Sequence, residues 1–516
     1  MADAAFLAWL SNQPQSLFKF RHGIEKEGLR VDASGHISQK DHPAALGSAL
    51  THPMITTDYS EALLEFITPA VDSPEKSLTY LRELHQYALQ VNPDENIWPA
   101  SMPSVLDGEL SVRIAEYGNS HIGQLKHVYR HGLWHRYGRI MQTIAGVHFN
   151  YSVPDEFWPA WHAFKGDKGA LTDFRSRRYF GLIRHFRRHS WLLLYLFGAS
   201  PALDRTFLRE NTARLRDHGT YTLMSPKATT LRMSDMGYTN SAQQSLKVCF
   251  NSLPTYIKTL RQALHTPYPP YQAMGIKQDG HYQQLNANIL QIENEYYSDI
   301  RPKRTTASGE KPLQALEERG VEYIEVRCLD LNPYLPLGVD ADQLHFMNWF
   351  LFWCLTAEAP EISDIECERV EFNKKLTVLY GRDPELLLVD RGSVRSLQTW
   401  GKDILSGMET LLQAVQPENA AQVQAAITRY RAMLDAPETT PSGRMAAELA
   451  TENEDYRTLV SRLAAEHRAA LLKQPLSAER FQSLMDDAEA SVKAQSALEQ
   501  QNVGCFDAFV QSYVSR

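Results

Sequence analysis

The sequence predicts an α+β fold in which helices cover one face of a curved antiparallel sheet. Two kinds of segment alternate along the 516 residues. Some place apolar residues at the 3.6-residue spacing of an amphipathic helix, and others alternate polar with apolar residues at the two-residue spacing of a strand. Because single hydrophobic cores stop growing near about 250–300 residues, the chain should form one oversized domain or two closely joined ones.

Helical patterns account for most of the chain and dominate its last third. Residues 1–15 read as a short amphipathic helix, since they lack the basic segment and cleavage site of a signal peptide. Further helical patterns cover residues 77–91, 182–197, 242–264 and most of 343–515. The apolar runs at 191–199 and 346–357 fall short of the ~20 residues that span a membrane, so they predict buried helices.

Four segments have the alternation of strands, and their polar faces carry acids. Strands are predicted within residues 23–31, 146–153, 285–295 and 322–329. In the second of these, Val147 and Phe149 share one face, while His148 and Asn150 share the other. Such alternation is usual where one face of a sheet lies in water. Paired acids in place of mixed polar residues favour the alternative, a concave polar face that forms a functional site.

Two segments have the composition of linkers, namely residues 298–314 and 437–443. The first is basic, with Arg301, Lys303 and Arg304 in close succession. It is expected to be a surface loop that is able to reach anionic phosphates.

Composition and charge exclude several functional classes. A net charge of −8 gives no basic surface for nucleic acid. The five cysteines are an odd number without a CxxC pair, which favours reduced thiols and a cytoplasmic location and argues against a zinc site. We therefore expect neither a nucleic-acid partner nor a membrane partner.

Six side chains in or near the strand-like segments suit a hard metal ion: Glu25, Glu27, Asp58, Glu65, His148 and Glu325. Glu25 and Glu27 lie two residues apart on one strand, at about 6.5–7 Å, where they repel unless water or a cation lies between them. Each residue alone has an ordinary alternative: a solvated edge, a strand rim, an ion pair or a core histidine. Together these oxygen-rich donors favour Mg²⁺ or Mn²⁺ and, with it, phosphate chemistry.

The common nucleotide motifs are absent from the sequence. There is no GxxxxGK[ST] and no GxGxxG after a strand. Any ATP would therefore be held by metals, loops and arginines such as Arg130, Arg232 and Arg327. A surface salt bridge is the alternative role for each of these arginines.

Eight segments together resemble one family. They are GIEKEGLRV, LGSALTHPMITTDYSEALLEFITP, WPASMP, YGRIMQTIAGVHFNYS, YLFGASPA, LRMSDMGYTN, LQIENEYYSDIRPKR and GVEYIEVRCLDLNP. In this order, from about residue 10 to about 370, they resemble bacterial glutamate–cysteine ligases of the gammaproteobacterial type, which are distantly similar to glutamine synthetase. The resemblance implies an incomplete antiparallel barrel in a catalytic domain over residues 1–375. A mainly helical region over 376–516, which resembles the family only loosely, would pack on it.

The resemblance also implies a role for each candidate residue. The six donors named above would hold two or three Mg²⁺ ions, which Mn²⁺ can replace, and Asp58 would also take the proton of the attacking amine. Arg327 would stabilise the transferred phosphoryl group, and Arg130 and Arg232 would hold substrate oxygens. The walls of the cysteine pocket would be Tyr59, Tyr129, Leu133 and Tyr238. Tyr59 departs from the phenylalanine of the family motif and keeps an aromatic wall with an added hydroxyl.

The implied reaction joins the γ-carboxylate of L-glutamate to the α-amine of L-cysteine at the expense of ATP, through a γ-glutamyl phosphate. It would be the first step of glutathione biosynthesis, and the enzyme is expected to be a monomer. Three alternatives remain open: the same activation with another amine acceptor, a glycosidase, which also uses paired acids, and a metal-stabilised binding protein. The glycosidase needs only two acids and no phosphate-binding arginines, and the binding protein predicts no ATP turnover.

Overall fold

The structure is a computed structural model that describes residues 4–208, 214–237, 246–307, 309–452 and 454–515. Its strands are β1 Arg21–Val31, β2 Ile55–Thr57, β3 Leu63–Ile67, β4 Asn96–Ile97, β5 Val147–Ser152, β6 Ala202–Asp204, β7 Arg216–His218, β8 Thr222–Met224, β9 Lys277–Gln278, β10 His281–Tyr282, β11 Ile300–Lys303, β12 Tyr323–Leu329, β13 Leu387–Asp390 and β14 Ser393–Ser396. The predicted α+β class is confirmed.

Helices surround these strands and fill most of the chain beyond residue 340. They are α1 Ala4–Ser11, α2 Pro74–Val91, α3 His121–Tyr137, α4 Phe157–Lys165, α5 Leu171–His189, α6 Trp191–Phe197, α7 Leu253–His265, α8 Pro269–Met274, α9 Pro312–Arg319, α10 Ala341–Thr356, α11 Asp364–Tyr380, α12 Leu397–Val415, α13 Ala420–Asp435, α14 Pro441–Glu452, α15 Tyr456–Leu472, α16 Ala478–Gln500 and α17 Phe506–Ser515. No helix in the described ranges has the length and apolar character needed to cross a membrane.

The central element is a seven-stranded sheet in the order β11-β12-β5-β1-β3-β2, with β4 also paired to β1. Every pairing in it is antiparallel, and the sheet is open. On one face the side chains of Ile24, Phe149 and Val326 are fully buried. Helices α2, α5 and α6 pack against the sheet. Burial of apolar side chains between these helices and the sheet stabilises the fold by about 25 cal/mol per Å² of apolar area.

The opposite face carries the acids, and most of them are buried. Cross-strand register places Glu27 opposite Glu65, Glu25 opposite His148, and Glu325 opposite Asn150. Glu27 and His148 are each only 5% exposed, and Glu325 is 1% exposed. The acidic face, as we call the surface formed by Glu25, Glu27, Glu65, His148 and Glu325, is therefore largely buried, with Glu25 and Glu65 partly exposed, and not an open solvated side of the sheet.

The predicted strand at 285–295 is wrong. Residues 285–292 form neither helix nor strand, and Glu293–Glu295 is a 3-10 turn. The side chains of this segment bond to its own backbone: Gln291 Oε1 accepts from the Leu285 amide at 2.9 Å, and Glu295 Oε2 accepts from the Gln291 amide at 2.6 Å. Such local side-chain bonds compete with a strand ladder.

The prediction of a linker at residues 298–314 is wrong for the first half of that segment. Ile300–Lys303 is strand β11, paired antiparallel with β12. It lies at the edge of the sheet, where Pro302 is tolerated because one side of an edge strand needs no ladder donor. In the other linker, residues 437–443, a 3-10 turn Pro437–Thr439 leads into α14.

Most helical predictions are confirmed, with shifted ends. The pattern at 77–91 is α2, and α1 buries Phe6 and Leu10. The pattern at 242–264 yields a helix only from Leu253, where Ser252 forms a capping box with Thr255, and residues 241–245 lie outside the described ranges. The C-terminal pattern is interrupted by the hairpin of β13 and β14.

Candidate functional site

Three neighbouring strands bring a possible metal-binding group together at the centre of the acidic face. Ligand atoms of Glu25, Glu65 and His148 all lie within 4.8 Å of one another. His148 Nδ1 lies 3.2 Å from Glu25 Oε2, and Asn150 donates from Nδ2 to Glu25 Oε1 at 2.8 Å. The two bonds fix the Glu25 carboxylate from β5.

Glu27 extends this group along β1. Its Oε2 accepts from the Gly146 amide at 2.6 Å, and its Oε1 lies 3.8 Å from His148 Nε2. Its direct cross-strand neighbour is Glu65, so two carboxylates face each other across the ladder. Like charges in that position are destabilising unless a cation lies between them.

Glu325 and Arg327 lie side by side on β12, as the sequence predicts. Arg327 Nη1 donates to Glu325 Oε1 at 3.1 Å and lies 3.4 Å from His148 Nδ1. Lys303 of β11 reaches the same Glu325 oxygen at 3.5 Å. A guanidinium and an ammonium therefore border the acids on the β11–β12 side of the sheet.

Burial and the neighbouring charges shift the pKa values of these carboxylates in opposite directions. Burial, together with the nearby acids Glu25 and Asp58, raises the pKa of Glu65 well above its usual value. Burial and Asp58 likewise raise the pKa of Glu27. The negative charge at the centre of the acidic face is thus undercompensated, which a bound cation would relieve.

The two remaining acids are held ionised by their partners. Burial acts to raise the pKa of Glu25, but the hydrogen bond with His148 and the charges of His148 and Lys303 together outweigh it and lower that pKa. Burial also opposes ionisation of Glu325, yet Lys303 and Arg327 hold its pKa well below the usual range.

The donor set fits Mg²⁺. It is built of carboxylate oxygens with one imidazole and no thiolate, which is the preference of a hard divalent ion. In addition, Glu325 Oε2 is buried and accepts no hydrogen bond from any described residue, so one ligand atom is available. Asp58 follows β2 and is close enough to influence both Glu27 and Glu65.

Arg232 is close enough to Glu27 to act on its pKa, and it supports β12. It is 2% exposed, and its Nη2 donates to the Arg327 carbonyl at 2.8 Å. Nη1 lies 3.8 Å from Asp330 Oδ1. A Cβ on Gly146 would come within 2.1 Å of Arg232 Nη2, so glycine is required there for this approach. The structure thus gives Arg232 contacts that position Arg327.

Of the pocket residues predicted for cysteine, Tyr129 and Leu133 lie on α3 with Arg130, and Tyr59 lies near it. Arg130 Nε donates to the Asp58 carbonyl, and its guanidinium lies 4.7 Å from the centre of the Tyr117 ring. Tyr59 is 1% exposed, Leu133 is buried and Tyr129 is partly buried. The electrostatic influence of Arg130 reaches both Tyr59 and Tyr129. Tyr238 lies outside the residues that the structure describes.

Three residues at the site were not predicted as site residues. Asn150 was visible on the polar face of its strand, Lys303 was assigned to a loop, and Asp330 carried no signal. Asp330 is buried and accepts from the Ala199 amide at 2.9 Å and from the Ser200 hydroxyl at 2.6 Å. The position of Asp330, directly after β12 and beside Arg232, could be found only from the structure.

The sequence is similar to that of proteins of known family. The family model described as glutamate-cysteine ligase matches residues 7–377. The chain belongs to the glutamate–cysteine ligase family. Curated members of the family include the glutamate–cysteine ligase of Hahella chejuensis, 51% identical over 508 residues with 97% of each chain covered. That of Azotobacter vinelandii is 48% identical over 496 residues, covering 95% of this chain and 94% of the relative.

Solved structures extend the family likeness to three dimensions. A crystal structure of the glutamate–cysteine ligase of Francisella tularensis in complex with AMP has a TM-score of 0.90 at 32% identity, covering 96% of this chain and 97% of that one. A bifunctional glutathione synthetase from Pasteurella multocida has a TM-score of 0.72 at 22% identity, over 93% of this chain and 57% of that one. This second likeness concerns the fold alone.

Proposed function

We propose that this chain ligates the γ-carboxylate of L-glutamate to the α-amine of L-cysteine, with ATP converted to ADP and phosphate, as the first step of glutathione biosynthesis. The observation that carries the proposal is the acidic face with Arg327 at its border, in a chain of the glutamate–cysteine ligase family. A carboxylate does not acylate an amine unaided, because the oxide is a poor leaving group. Transfer of the ATP γ-phosphoryl group to glutamate would supply a better one.

Glu25, Glu27, Asp58, Glu65, His148 and Glu325 would hold two or three Mg²⁺ ions, which Mn²⁺ can replace. When bound, the metal supplies charge neutralisation and orientation for the phosphates of ATP. Asn150 would keep the Glu25 carboxylate pointed at the ion, since it donates to Glu25 Oε1 at 2.8 Å. The supporting observation is the convergence of Glu25, Glu65 and His148.

Arg327 would grip the phosphoryl group while it transfers to glutamate and again while it leaves. Its guanidinium is fixed by Glu325 at 3.1 Å, and Arg232 holds the Arg327 carbonyl at 2.8 Å. A guanidinium that Glu325 anchors, on a backbone that Arg232 holds, is preorganised and needs little rearrangement during the reaction. Arg130 and Arg232 would hold substrate carboxylate or phosphate oxygens.

The attacking amine must lose a proton, since an α-amino group titrates near ~8 and is mostly protonated at pH 7. Asp58 would accept that proton, because it adjoins the predicted acceptor pocket through Arg130. Tyr59, Tyr129, Leu133 and Tyr238 would line that pocket. A related ligase with a different amine acceptor is the remaining alternative.

We propose that the open sheet is the incomplete barrel of the glutamine synthetase type, within a catalytic domain of residues 1–375 that residues 376–516 cover. Contacts of α15 with α2 and β4 support this packing. We further propose a cytoplasmic monomer that acts without nucleic-acid or membrane partners.

Phosphate release in the presence of ATP, Mg²⁺, L-glutamate and a panel of amines tests the function. We expect release to require glutamate and to be fastest with L-cysteine, and γ-glutamylcysteine should appear in equal amount. Faster release with ammonia or a polyamine would mean that this amine, and not cysteine, is the acceptor. No release with any amine would overturn the proposal.

A further inference from the structure

Three histidines follow one another along one side of helix α3. His127, His131 and His135 recur every four residues, the spacing that places side chains one above another on a helix. All three are partly exposed, so solvent and dissolved ions can reach their rings. None of them belongs to the acidic face.

The ring of His127 is held in the way that metal-ligating histidines are held. Its Nδ1 lies 2.8 Å from the carbonyl oxygen of Ala115, which can only accept, so Nδ1 carries the proton and Nε2 keeps its lone pair. Metal-ligating histidines almost always donate their second ring N–H to such an acceptor, because the bond fixes both the tautomer and the ring orientation. The amide of Ala115 in turn donates to the Tyr59 carbonyl at 3.0 Å, which holds the acceptor in place.

His131 supplies an uncharged ring one helical turn further on. Burial, followed by the nearby His127 and His135, lowers the pKa of His131 to about 4, so the ring is neutral at pH 7. Its Nδ1 is buried and has no hydrogen-bond partner among the described residues. A neutral imidazole with an unpaired nitrogen is the form that binds a metal ion.

The separation of these two rings suits a chelating pair. Zinc–nitrogen bonds are ~2.0–2.1 Å long, so each ring centre would lie ~3.2 Å from a shared ion, and two rings at a tetrahedral angle would have centres ~5.2 Å apart. The ring centres of His127 and His131 are 5.0 Å apart. Their planes are inclined at 57°, so the rings are not stacked on each other.

His135 does not fit the same ion. Its ring centre lies 6.2 Å from that of His131, which would open the nitrogen–metal–nitrogen angle to ~150°. Its ring is also stacked on Trp134, with centres 4.4 Å apart, and turning it towards His131 would give up that contact. Among the described residues, the only set of three candidate ligands with atoms within 4.8 Å of one another lies on the acidic face. The group on α3 therefore offers two protein ligands.

We propose that His127 and His131 bind one divalent transition-metal ion such as Zn²⁺, with water completing its coordination. Imidazole suits Zn²⁺, Cu²⁺ and Ni²⁺, whereas Mg²⁺ prefers oxygen, so this ion differs in kind from those proposed for the acidic face. Two protein ligands make an exchangeable site, unlike a structural zinc site with four. The ion bridges successive turns of the helix that carries Tyr129, Arg130 and Leu133. This inference is independent of the proposed reaction, because neither histidine is among the six donors proposed for Mg²⁺.

Calorimetric titration of the full-length chain with Zn²⁺ tests the proposal. Excess Mg²⁺ is present throughout, and wild type is compared with single variants so that zinc bound elsewhere cancels. We expect His127→Gln and His131→Gln each to lose one zinc equivalent. His135→Gln is the matched control, with the same substitution one turn along the same helix, and it should retain that equivalent. Retention in His127→Gln or His131→Gln would overturn the proposal, and so would loss in His135→Gln.

A second measurement does not depend on any variant folding. Crystals of the wild-type protein soaked in zinc chloride should give an anomalous peak between the rings of His127 and His131, at the ~2.0–2.1 Å of zinc–nitrogen bonds. A zinc peak confined to the acidic face, with only water between these two rings, would overturn the proposal.

Discussion

Replacement of Arg327 by lysine tests how the phosphoryl group is stabilised. Arg327 contacts Glu325 Oε1 through Nη1 at 3.1 Å, and the same nitrogen lies 3.4 Å from His148 Nδ1. Burial acts to lower the pKa of Arg327, but the acids Glu325, Glu25 and Glu27 outweigh it and raise that pKa further. The group is therefore a fixed cation. Lysine would keep the charge but lose the planar two-pronged geometry.

The size of the effect follows from the loss of one preorganised donor, which typically costs ~10²–10³ in turnover. We expect Arg327→Lys to lower kcat by at least ~10²-fold and to leave the KM for glutamate within about threefold, because the fork matters most to the transferring phosphate. Initial rates of ADP formation with varied glutamate separate these parameters. Arg429→Lys, an exposed arginine paired with Asp340 and Asp342, is the control and should retain full activity.

One outcome would refute this reasoning. If Arg327→Lys raised only the KM for glutamate and left kcat unchanged, Arg327 would be a clamp for bound substrate. A sulfoximine inhibitor that the enzyme phosphorylates gives an independent reading. It should bind wild type tightly and Arg327→Lys much more weakly, since the phosphorylated inhibitor resembles the adduct that the fork would hold.

Three further predictions concern metal, acceptor and pH. Glu27→Gln can still accept from the Gly146 amide, so it should fold and yet lose most turnover at limiting Mg²⁺; wild-type rates there would remove Glu27 from the metal ligands. L-2-Aminobutyrate, with a methyl in place of the thiol, should also react, because an apolar pocket discriminates by only ~1–3 kcal/mol; complete failure at saturation would indicate a specific contact to sulfur. Burial raises the pKa of Glu61 to about 7, so the native state binds the extra proton and stability falls as pH rises from about 4.5 to about 7. Glu61→Gln should remove this slope and stabilise the protein at pH 8 by up to about 3 kcal/mol in urea unfolding, and an unchanged slope would contradict the assignment.

Strand periodicity was sufficient to predict the core of the acidic face. In β5 and β12 the alternation is regular, and one face of each is apolar at positions such as Val147, Phe149 and Val326, whereas in β1 the same face holds Ile24 together with the buried Lys26. A register slip of one residue would expose that apolar set, so register is strongly specified. Placing His148 beside Glu25 also required the order of strands, which periodicity alone does not provide.

The two wrong secondary-structure predictions, at residues 285–295 and 300–303, have local physical causes. Residues 285–295 alternate like a strand, but Gln291 and Glu295 use their side chains to bond the backbone, and Glu295 pairs with Arg136 at 2.9 Å. Residues 300–303 look like a loop because they are basic and contain Pro302. Their neighbours across the ladder include Glu325, which the charge of Lys303 complements. Neither feature is visible without the pairing partner.

Lys26 shows a different limit of sequence reasoning. Lys26 lies between Glu25 and Glu27 in the sequence, yet strand geometry directs its side chain to the opposite side of the sheet. There its Nζ lies 3.0 Å from His85 Nε2 of α2. Only the three-dimensional contacts reveal that this lysine lacks an acidic partner among the described residues.

The proposed acyl-phosphate route can be tested directly with isotope-labelled substrate. L-Glutamate carrying ¹⁸O in its γ-carboxylate is incubated with the enzyme, ATP, Mg²⁺ and L-cysteine, and the released phosphate is examined by mass spectrometry. If the γ-carboxylate attacks the γ-phosphate of ATP and the amine then displaces phosphate, one ¹⁸O atom should pass into each phosphate released. Phosphate without ¹⁸O, formed together with γ-glutamylcysteine, would contradict the γ-glutamyl phosphate and the role assigned to Arg327.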